Sequence, residues 1–145
     1  MDKESVVIYS DGACSGNPGK GGWGAVLIYK NNQKEISGCE ALTTNNRMEL
    51  MAAIEALKLL KRYCNVILYT DSQYVKRGVT EWLGGWKNND WKNSKKEEVK
   101  NRDLWQQLDV LIGKHNVEWR WVKGHSGDIH NDRVDYLARQ SIKSI

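Results

Sequence analysis

Short apolar runs bounded by turn residues open the chain and predict strands. Residues 6–9 are apolar, largely β-branched, and run up to Asp11-Gly12, which predicts a strand buried on both faces. After a glycine-rich link at 12–22, apolar positions at 23–29 and 35–39 predict two more strands around a turn at Asn31-Asn32. Because only short connections join these strands, we expect them to be antiparallel.

From Arg47 onward the apolar residues follow a helical period. Leu50, Ala53, Ile54, Leu57 and Leu60 recur at spacings that predict an amphipathic helix. A buried strand at 66–69 then leads through Thr70-Asp71 into a helix near 72–75. The remaining pattern predicts a helix around 104–112, a strand at 117–122, a loop at 123–127 and a closing helix around 134–142.

This order of elements predicts an α/β fold in a single domain over residues 1–145. Strands that are reached through helices should be parallel, with right-handed crossovers. We therefore expect a five-stranded mixed sheet, three antiparallel strands followed by two parallel ones, with helices packed on it.

Composition narrows the class of protein without identifying a function. Hydrophobic residues make up 40% of the chain and charged residues 28%, as in ordinary globular proteins. The net charge of +4 is compatible with a nucleic-acid partner, although many solubilised surfaces carry as much. The 3 cysteines lack CxxC spacing, which argues against zinc ligation and a disulfide framework. No stretch approaches the ~20 apolar residues of a membrane span, and free thiols suit a reducing cytosol, so we expect a cytoplasmic protein without membrane contact. We also expect a monomer.

Residues 82–100 interrupt the apolar pattern with tryptophan and lysine. Trp82, Trp86 and Trp91 alternate there with lysines at 87, 92, 95, 96 and 100. Lysines contact phosphates and indole rings stack on sugars or bases, so this segment is a candidate basic protrusion for nucleic acid. The alternative is an ordinary helix pair with core tryptophans and a solvated lysine face. Trp86 and Trp91 partly fit that alternative, whereas Trp82 is the better contact candidate.

Four carboxylates occupy positions that this topology would bring together. Asp11 ends the first strand and Asp71 the fourth, so they should be neighbours at the carboxyl ends of parallel strands. Glu49 lies in the first turn of the first long helix, and Asp135 lies in the closing helix. Such a cluster repels itself unless hard cations neutralise it, and Mg²⁺ prefers oxygen ligands.

Each carboxylate also has a purely structural interpretation. Asp11-Gly12 is a common turn, and Asp71 can complement a helix N-terminus. Glu49 follows Asn46 at capping-box spacing, and Asp135 can pair with Arg139. Taken one residue at a time, the structural interpretation is stronger than the functional one. Taken together, acidic residues at two strand ends and one helix start favour a shared function over chance.

The chain resembles the bacterial ribonuclease HI family, the type 1 ribonucleases H, in motifs and in motif order. The matching stretches span nearly the whole chain and are Tyr9–Ala13, Asn17–Gly19, Thr44–Leu50, Thr70–Tyr74, Trp121–His125 and Asp135–Ala138. The resemblance implies the mixed sheet of that family. It also implies an endonuclease that hydrolyses the RNA strand of RNA–DNA hybrids.

The resemblance further implies the chemistry of the site. Asp11, Glu49, Asp71 and Asp135 would hold two Mg²⁺ ions, for which Mn²⁺ can substitute. One ion would activate the attacking water and the other would stabilise the leaving 3′ oxygen, giving 5′-phosphate and 3′-hydroxyl ends. His125 would shuttle protons or assist product release, whereas without the resemblance it is a surface-loop histidine.

Hybrid binding is assigned by the resemblance to three sets of residues. Backbone and amide groups would sense the RNA strand through its 2′-hydroxyls, at Cys14, Asn17, Asn45, Asn46 and Gln73. Thr44 and Asn101 match a pocket for a DNA phosphate. The protrusion would grip the DNA strand through Trp82, Lys87, Lys92 and Lys96. Turn and cap chemistry is the alternative for the amide residues.

Two departures from the family pattern bear on affinity. Leu42 stands where a basic residue often precedes the Thr-Asn stretch, which implies a weaker phosphate pocket. Acidic residues at 90, 97 and 98 dilute the charge of the protrusion.

Three other functions compete with this one. Gly19-Lys20-Gly21 superficially suggests a nucleotide-binding phosphate loop, but it lacks P-loop spacing and joins two strands. A hybrid-binding module without catalysis would not need all the carboxylates. An integrase-like or junction-resolving nuclease could share the fold, but the amide residues and the Trp/Lys segment favour hybrids.

Overall fold

A computed structural model describes residues 5–122 and 127–145 of the chain. The elements within these ranges are β1 (Val6–Gly16), β2 (Gly19–Tyr29), β3 (Asn32–Thr43), α1 (Asn45–Lys58), β4 (Asn65–Thr70), α2 (Gln73–Arg77), α3 (Leu83–Asn88), α4 (Arg102–Gly113), β5 (Asn116–Trp121) and α5 (Ile129–Ile142). A π-helical turn, Gly78–Trp82, joins α2 to α3.

The strands form one five-stranded sheet in the order β3-β2-β1-β4-β5. β1 pairs antiparallel with β2, and β2 pairs antiparallel with β3. β4 pairs parallel with both β1 and β5. The predicted α/β fold with a mixed sheet is therefore confirmed.

The first hairpin is longer than its sequence predicts. The glycine-rich link at 12–22 is not a loop, because Gly12 pairs with Trp23 and the ladder continues to Gly16 and Gly19. The connection shrinks to Asn17-Pro18, and β3 likewise extends well beyond the predicted 35–39. Asp11 therefore lies within β1 rather than at its end. Its parallel ladder with β4 nevertheless stops one residue earlier, at Ser10 and Thr70.

Helices cover both faces of the sheet. α1 packs on β1 and β2, and α4 packs on α1 and β5, which encloses the main core around Ile8, Leu50, Leu57, Leu68 and Trp105. α5 covers β1, β2 and β3 on the other face, with Val134 against Tyr9 and Val26. Within the described ranges, none of the helices combines the length and apolar character that crossing a membrane requires.

Glycines in β1 and β2 allow the helices to approach the sheet closely. A Cβ on Gly12 would lie 2.4 Å from the backbone nitrogen of Glu49 in α1. A Cβ on Gly22 would lie 2.3 Å from the carbonyl oxygen of Ala138 in α5. Backbone atoms cannot move aside as flexible side chains can, so these glycines set how near the helices come to the site.

Gly22→Ala should therefore destabilise the protein by roughly 2–4 kcal/mol, because the methyl group forces α5 away from β2. The matched control is Gly84→Ala in α3, where a Cβ meets nothing within 4 Å. That change should stabilise by about 0.5–1 kcal/mol, because alanine favours the helix. Urea unfolding measures both, and equal effects would contradict the close-packing argument.

Candidate active site

Asp11, Glu49 and Asp71 form a compact acidic cluster. Each offers a carboxylate oxygen, and these atoms all lie within 4.8 Å of one another. Asp11 and Glu49 are buried, and Asp71 is half-buried. Strand order predicts that Asp11 and Asp71 meet beyond the parallel ladder, with Glu49 reaching them from its helix, and the structure places the three carboxylates there.

The backbone of β1 holds Glu49 in this cluster. The Gly12 N–H donates a hydrogen bond to Glu49 Oε1 at 2.9 Å, at the point where α1 crosses β1. The capping-box interpretation of Glu49 is wrong, because Thr44 rather than Asn46 caps α1 and its side chain accepts from Arg47 N. α1 accordingly begins at Asn45, two residues before the predicted start.

Asp71 is held by contacts from β5 and from the start of α2 that the sequence does not predict. The indole Nε1 of Trp121 at the end of β5 donates to the carbonyl oxygen of Asp71 at 3.2 Å. Ser72 caps α2 by accepting from Val75 N, and its own N–H donates to Thr70 Oγ1. The chain therefore leaves β4 through a fixed turn that aims Asp71 toward Asp11.

Asp135 flanks the cluster from α5. It is not among the carboxylates whose oxygens lie within 4.8 Å of one another, but its charge raises the pKa of Asp11. Its Oδ2 also accepts from Arg139 Nε at 3.0 Å, which is the helical pair anticipated as its structural role. Asp135 thus combines an electrostatic effect on Asp11 with an ion pair along its own helix.

The electrostatics of the cluster are those of carboxylates forced together. Burial, together with repulsion from the charges of Asp71 and Asp135, raises the pKa of Asp11 to about 8. Burial also raises the pKa of Glu49 well above its ordinary value, with added repulsion from Asp11 and Asp71, against the opposing Gly12 hydrogen bond. A divalent cation would remove this repulsion, and clustered oxygens suit hard ions such as Mg²⁺. The residues present therefore fit a metal site.

His125 and its loop neighbours at 123–126 lie outside the described residues.

Most of the residues predicted to bind RNA lie where the β1–β2 turn meets α1, and Gln73 lies apart from them at the start of α2. Asn17 Oδ1 accepts from the backbone N–H of Asn45 at 3.1 Å, which ties the turn to the helix start. Cys14 Sγ lies 3.5 Å from the carbonyl oxygen of Thr43. Asn46 is exposed at the start of α1, and Gln73 is exposed at the start of α2 beside Asp71.

Thr44 and Asn101, predicted to hold a DNA phosphate, are linked by Arg47. Arg47 N donates to Thr44 Oγ1 at 3.2 Å, and its Nη1 donates to Asn101 Oδ1 at 3.2 Å. Asp103 holds the same guanidinium in two hydrogen bonds of 3.0 and 2.8 Å. Asn101 adopts a left-handed backbone, with φ of 60°, immediately before α4.

The predicted protrusion is partly anchored in the core. Trp86 and Trp91 pack against the main core, as expected, and Trp82 is half-buried with its ring 5.7 Å from that of Trp86. Lys92 and Lys96 are exposed, whereas Lys87 forms an ion pair of 3.2 Å with Asp109 in α4. The lysines are therefore unequal, because the charge of Lys87 is already partly neutralised.

Comparison with known proteins places this geometry in a family. The chain matches the family described as RNase H over residues 3–143. It is 59% identical over 144 residues to ribonuclease HI of Pseudomonas aeruginosa, covering 99% of this chain and 97% of that protein. The chain therefore belongs to the ribonuclease H family.

Solved structures agree with this assignment. LC9-RNase H1, a type 1 RNase H with the type 2 active-site motif, superposes with a TM-score of 0.88 at 32% identity, over 99% of this chain and 74% of that one. LC11-RNase H1, solved in complex with an RNA/DNA hybrid, has a TM-score of 0.75 at 23% identity, over 97% and 98% of the two chains. The second likeness concerns the fold alone.

Asp11→Asn should make the metal-free protein more stable at high pH. The pKa of Asp11 is about 8 in the folded protein, against about 3.9 in an unfolded chain. Between these values the folded state binds the proton more tightly, so the stability of the unsubstituted protein falls as the pH rises from about 4 to about 8. The variant should exceed it by about 1–3 kcal/mol near pH 8 and by little near pH 4.

Urea unfolding in excess chelator at several pH values measures this difference. Asp90→Asn, at an exposed turn position, is the control and should show no such pH dependence. A difference between Asp11→Asn and the unsubstituted protein that stays constant from pH 4 to pH 8 would contradict the assignment of a strained acidic cluster.

Proposed function

We propose that this protein hydrolyses the RNA strand of RNA–DNA hybrids endonucleolytically, leaving 5′-phosphate and 3′-hydroxyl ends. The observation that carries the proposal is the acidic cluster of Asp11, Glu49 and Asp71, with oxygens within 4.8 Å. Membership of the ribonuclease H family supports the choice of substrate.

Two Mg²⁺ ions fit the reaction, held by Asp11, Glu49, Asp71 and Asp135. When bound, they would supply activation of the attacking water and stabilisation of the leaving 3′ oxygen. Asp11 is central, because its charge interacts with those of Glu49, Asp71 and Asp135. The Gly12 N–H holds one oxygen of Glu49, so the carboxylate would bind a cation in a fixed orientation. His125 would assist proton transfer or product release.

The substrate side of the proposal depends on two surfaces. The amide residues of the β1–β2 turn and of the starts of α1 and α2 offer donors and acceptors to an RNA strand near the carboxylates. The exposed lysines and Trp82 of the protrusion would bind the DNA strand. Because one surface would bind RNA and the other DNA, the protein would prefer RNA–DNA hybrids to double-stranded RNA or double-stranded DNA.

Asp71→Asn tests the catalytic assignment. The substitution keeps the shape of the side chain and removes a charge, so hybrid cleavage should slow by at least about a hundredfold, about 3 kcal/mol in the barrier. Cleavage of hybrid, double-stranded RNA and double-stranded DNA should be compared in Mg²⁺, with mass analysis of the product ends. Asp132→Asn, an exposed carboxylate on α5, is the matched control. Near-normal cleavage by Asp71→Asn would overturn the assignment.

Replacing Lys92 and Lys96 by alanine should flatten the salt dependence of hybrid affinity. Each phosphate contact releases counterions, so two contacts would lower the slope by up to about two units. We expect about one unit, because acidic residues share the segment. Replacing Lys34 and Lys61, exposed lysines outside the protrusion, is the control. An unchanged slope would place Lys92 and Lys96 on a merely solvated face.

A further inference from the structure

The hydroxyl of Tyr74 links the proposed phosphate pocket to the core by accepting two hydrogen bonds, and its own O–H remains free to donate one. Its hydroxyl oxygen accepts from Trp105 Nε1 at 2.9 Å and from Asn101 Nδ2 at 3.0 Å. These two bonds use both acceptor positions of the oxygen. Trp105 is fully buried and its indole can only donate, so the direction of that bond is fixed. The hydroxyl proton of Tyr74 therefore remains available to an external acceptor.

Arg47 fixes the orientation of the Asn101 amide. A flipped amide would still suit Tyr74, whose proton could then be donated to the amide oxygen. The Arg47 guanidinium has no acceptor, however, and its Nη1 lies 3.2 Å from the position of Oδ1, so only the observed orientation avoids facing donors. Asp103 holds Arg47 there in a two-point ion pair.

Two free donors are thereby left side by side, on Tyr74 and Asn101, and Thr44 of the predicted phosphate pocket offers a third. Asn101 keeps its second N–H, because Nδ2 donates only once, to Tyr74. Thr44 keeps its hydroxyl proton, because its oxygen accepts from Arg47 N. Within residues 5–122 and 127–145, no acceptor is found for these groups or for the Tyr74 hydroxyl. All three side chains are half-buried, so a ligand can reach them.

The resemblance already assigns Thr44 and Asn101 to a DNA phosphate. We propose that the Tyr74 hydroxyl joins them as a further donor to that phosphate, and that Arg47 is the residue that positions Asn101. The inference rests on the proposed function for its ligand. Three uncharged donors suit a phosphodiester, which has only acceptors. Leu42, where a basic residue is common in the family, is 76% exposed and supplies no charge here. Tyr74 therefore adds an uncharged hydrogen-bond donor to this pocket.

Hybrid affinity should depend on one DNA phosphate through Tyr74. A series of hybrids, each with a single uncharged methylphosphonate in the DNA strand, should show one position that weakens binding most. Tyr74→Phe keeps the ring contacts with Trp82 and Trp105. It should weaken binding to the unmodified hybrid by about three- to tenfold and shrink the penalty at that position by a similar factor. The salt slope should stay unchanged, because the lost donor is uncharged.

Binding is measured in chelator without cleavage, so the result does not depend on the proposed chemistry. Tyr69→Phe is the matched control, because it likewise removes a hydroxyl that accepts a side-chain hydrogen bond, here from Arg120 on β5. It should change neither quantity. Arg47→Met should shrink the same positional penalty by freeing the Asn101 amide, and it serves if Tyr74→Phe fails to fold.

An unchanged positional penalty in a folded variant, or no penalised position in the unsubstituted protein, overturns the inference. Failure of the unsubstituted protein to cleave hybrids in Mg²⁺ would instead count against the proposed function. A general loss of affinity with the positional penalty intact would show that Tyr74 is only structural, which also overturns the inference.

Discussion

The hydrogen bond from the Gly12 N–H to Glu49 is the contact on which the site depends most. It forms only because α1 lies against β1 so closely that any side chain at position 12 would collide with the helix backbone. The same approach buries Glu49 beside Asp11 and creates their mutual repulsion. Fold and reactivity are coupled here, since the packing that stabilises the core also concentrates negative charge.

That concentration of charge is a cost that the rest of the protein must offset. The large core between the sheet and the helices α1 and α4 supplies the apolar burial that tolerates it. A bound cation would convert the cost into binding free energy, because neutralising the carboxylates relieves the strain. The stability of the core is therefore what allows the acidic cluster to persist before a cation binds.

The sequence predicts the sheet and the meeting of Asp11 with Asp71 because both follow from strand order and the end of a parallel ladder. It fails at the glycine-rich link, because glycine has little intrinsic preference for strands and only the helices packed above it explain its use. The hydrogen-bond network of Arg47, Asn101 and Tyr74 likewise could not be predicted from the sequence. Its members are 27 and 54 residues apart and meet only through tertiary packing.

The protrusion shows how the molecule can vary. Residues 89–101 include four non-glycine residues with positive φ and no long helix or strand, and Trp91 and Val99 fix this segment to the core. Its exposed positions can therefore exchange lysine for acid, or the reverse, without disturbing those anchors. Evolution can in this way retune how tightly a nucleic acid is held while leaving the carboxylates and their geometry untouched.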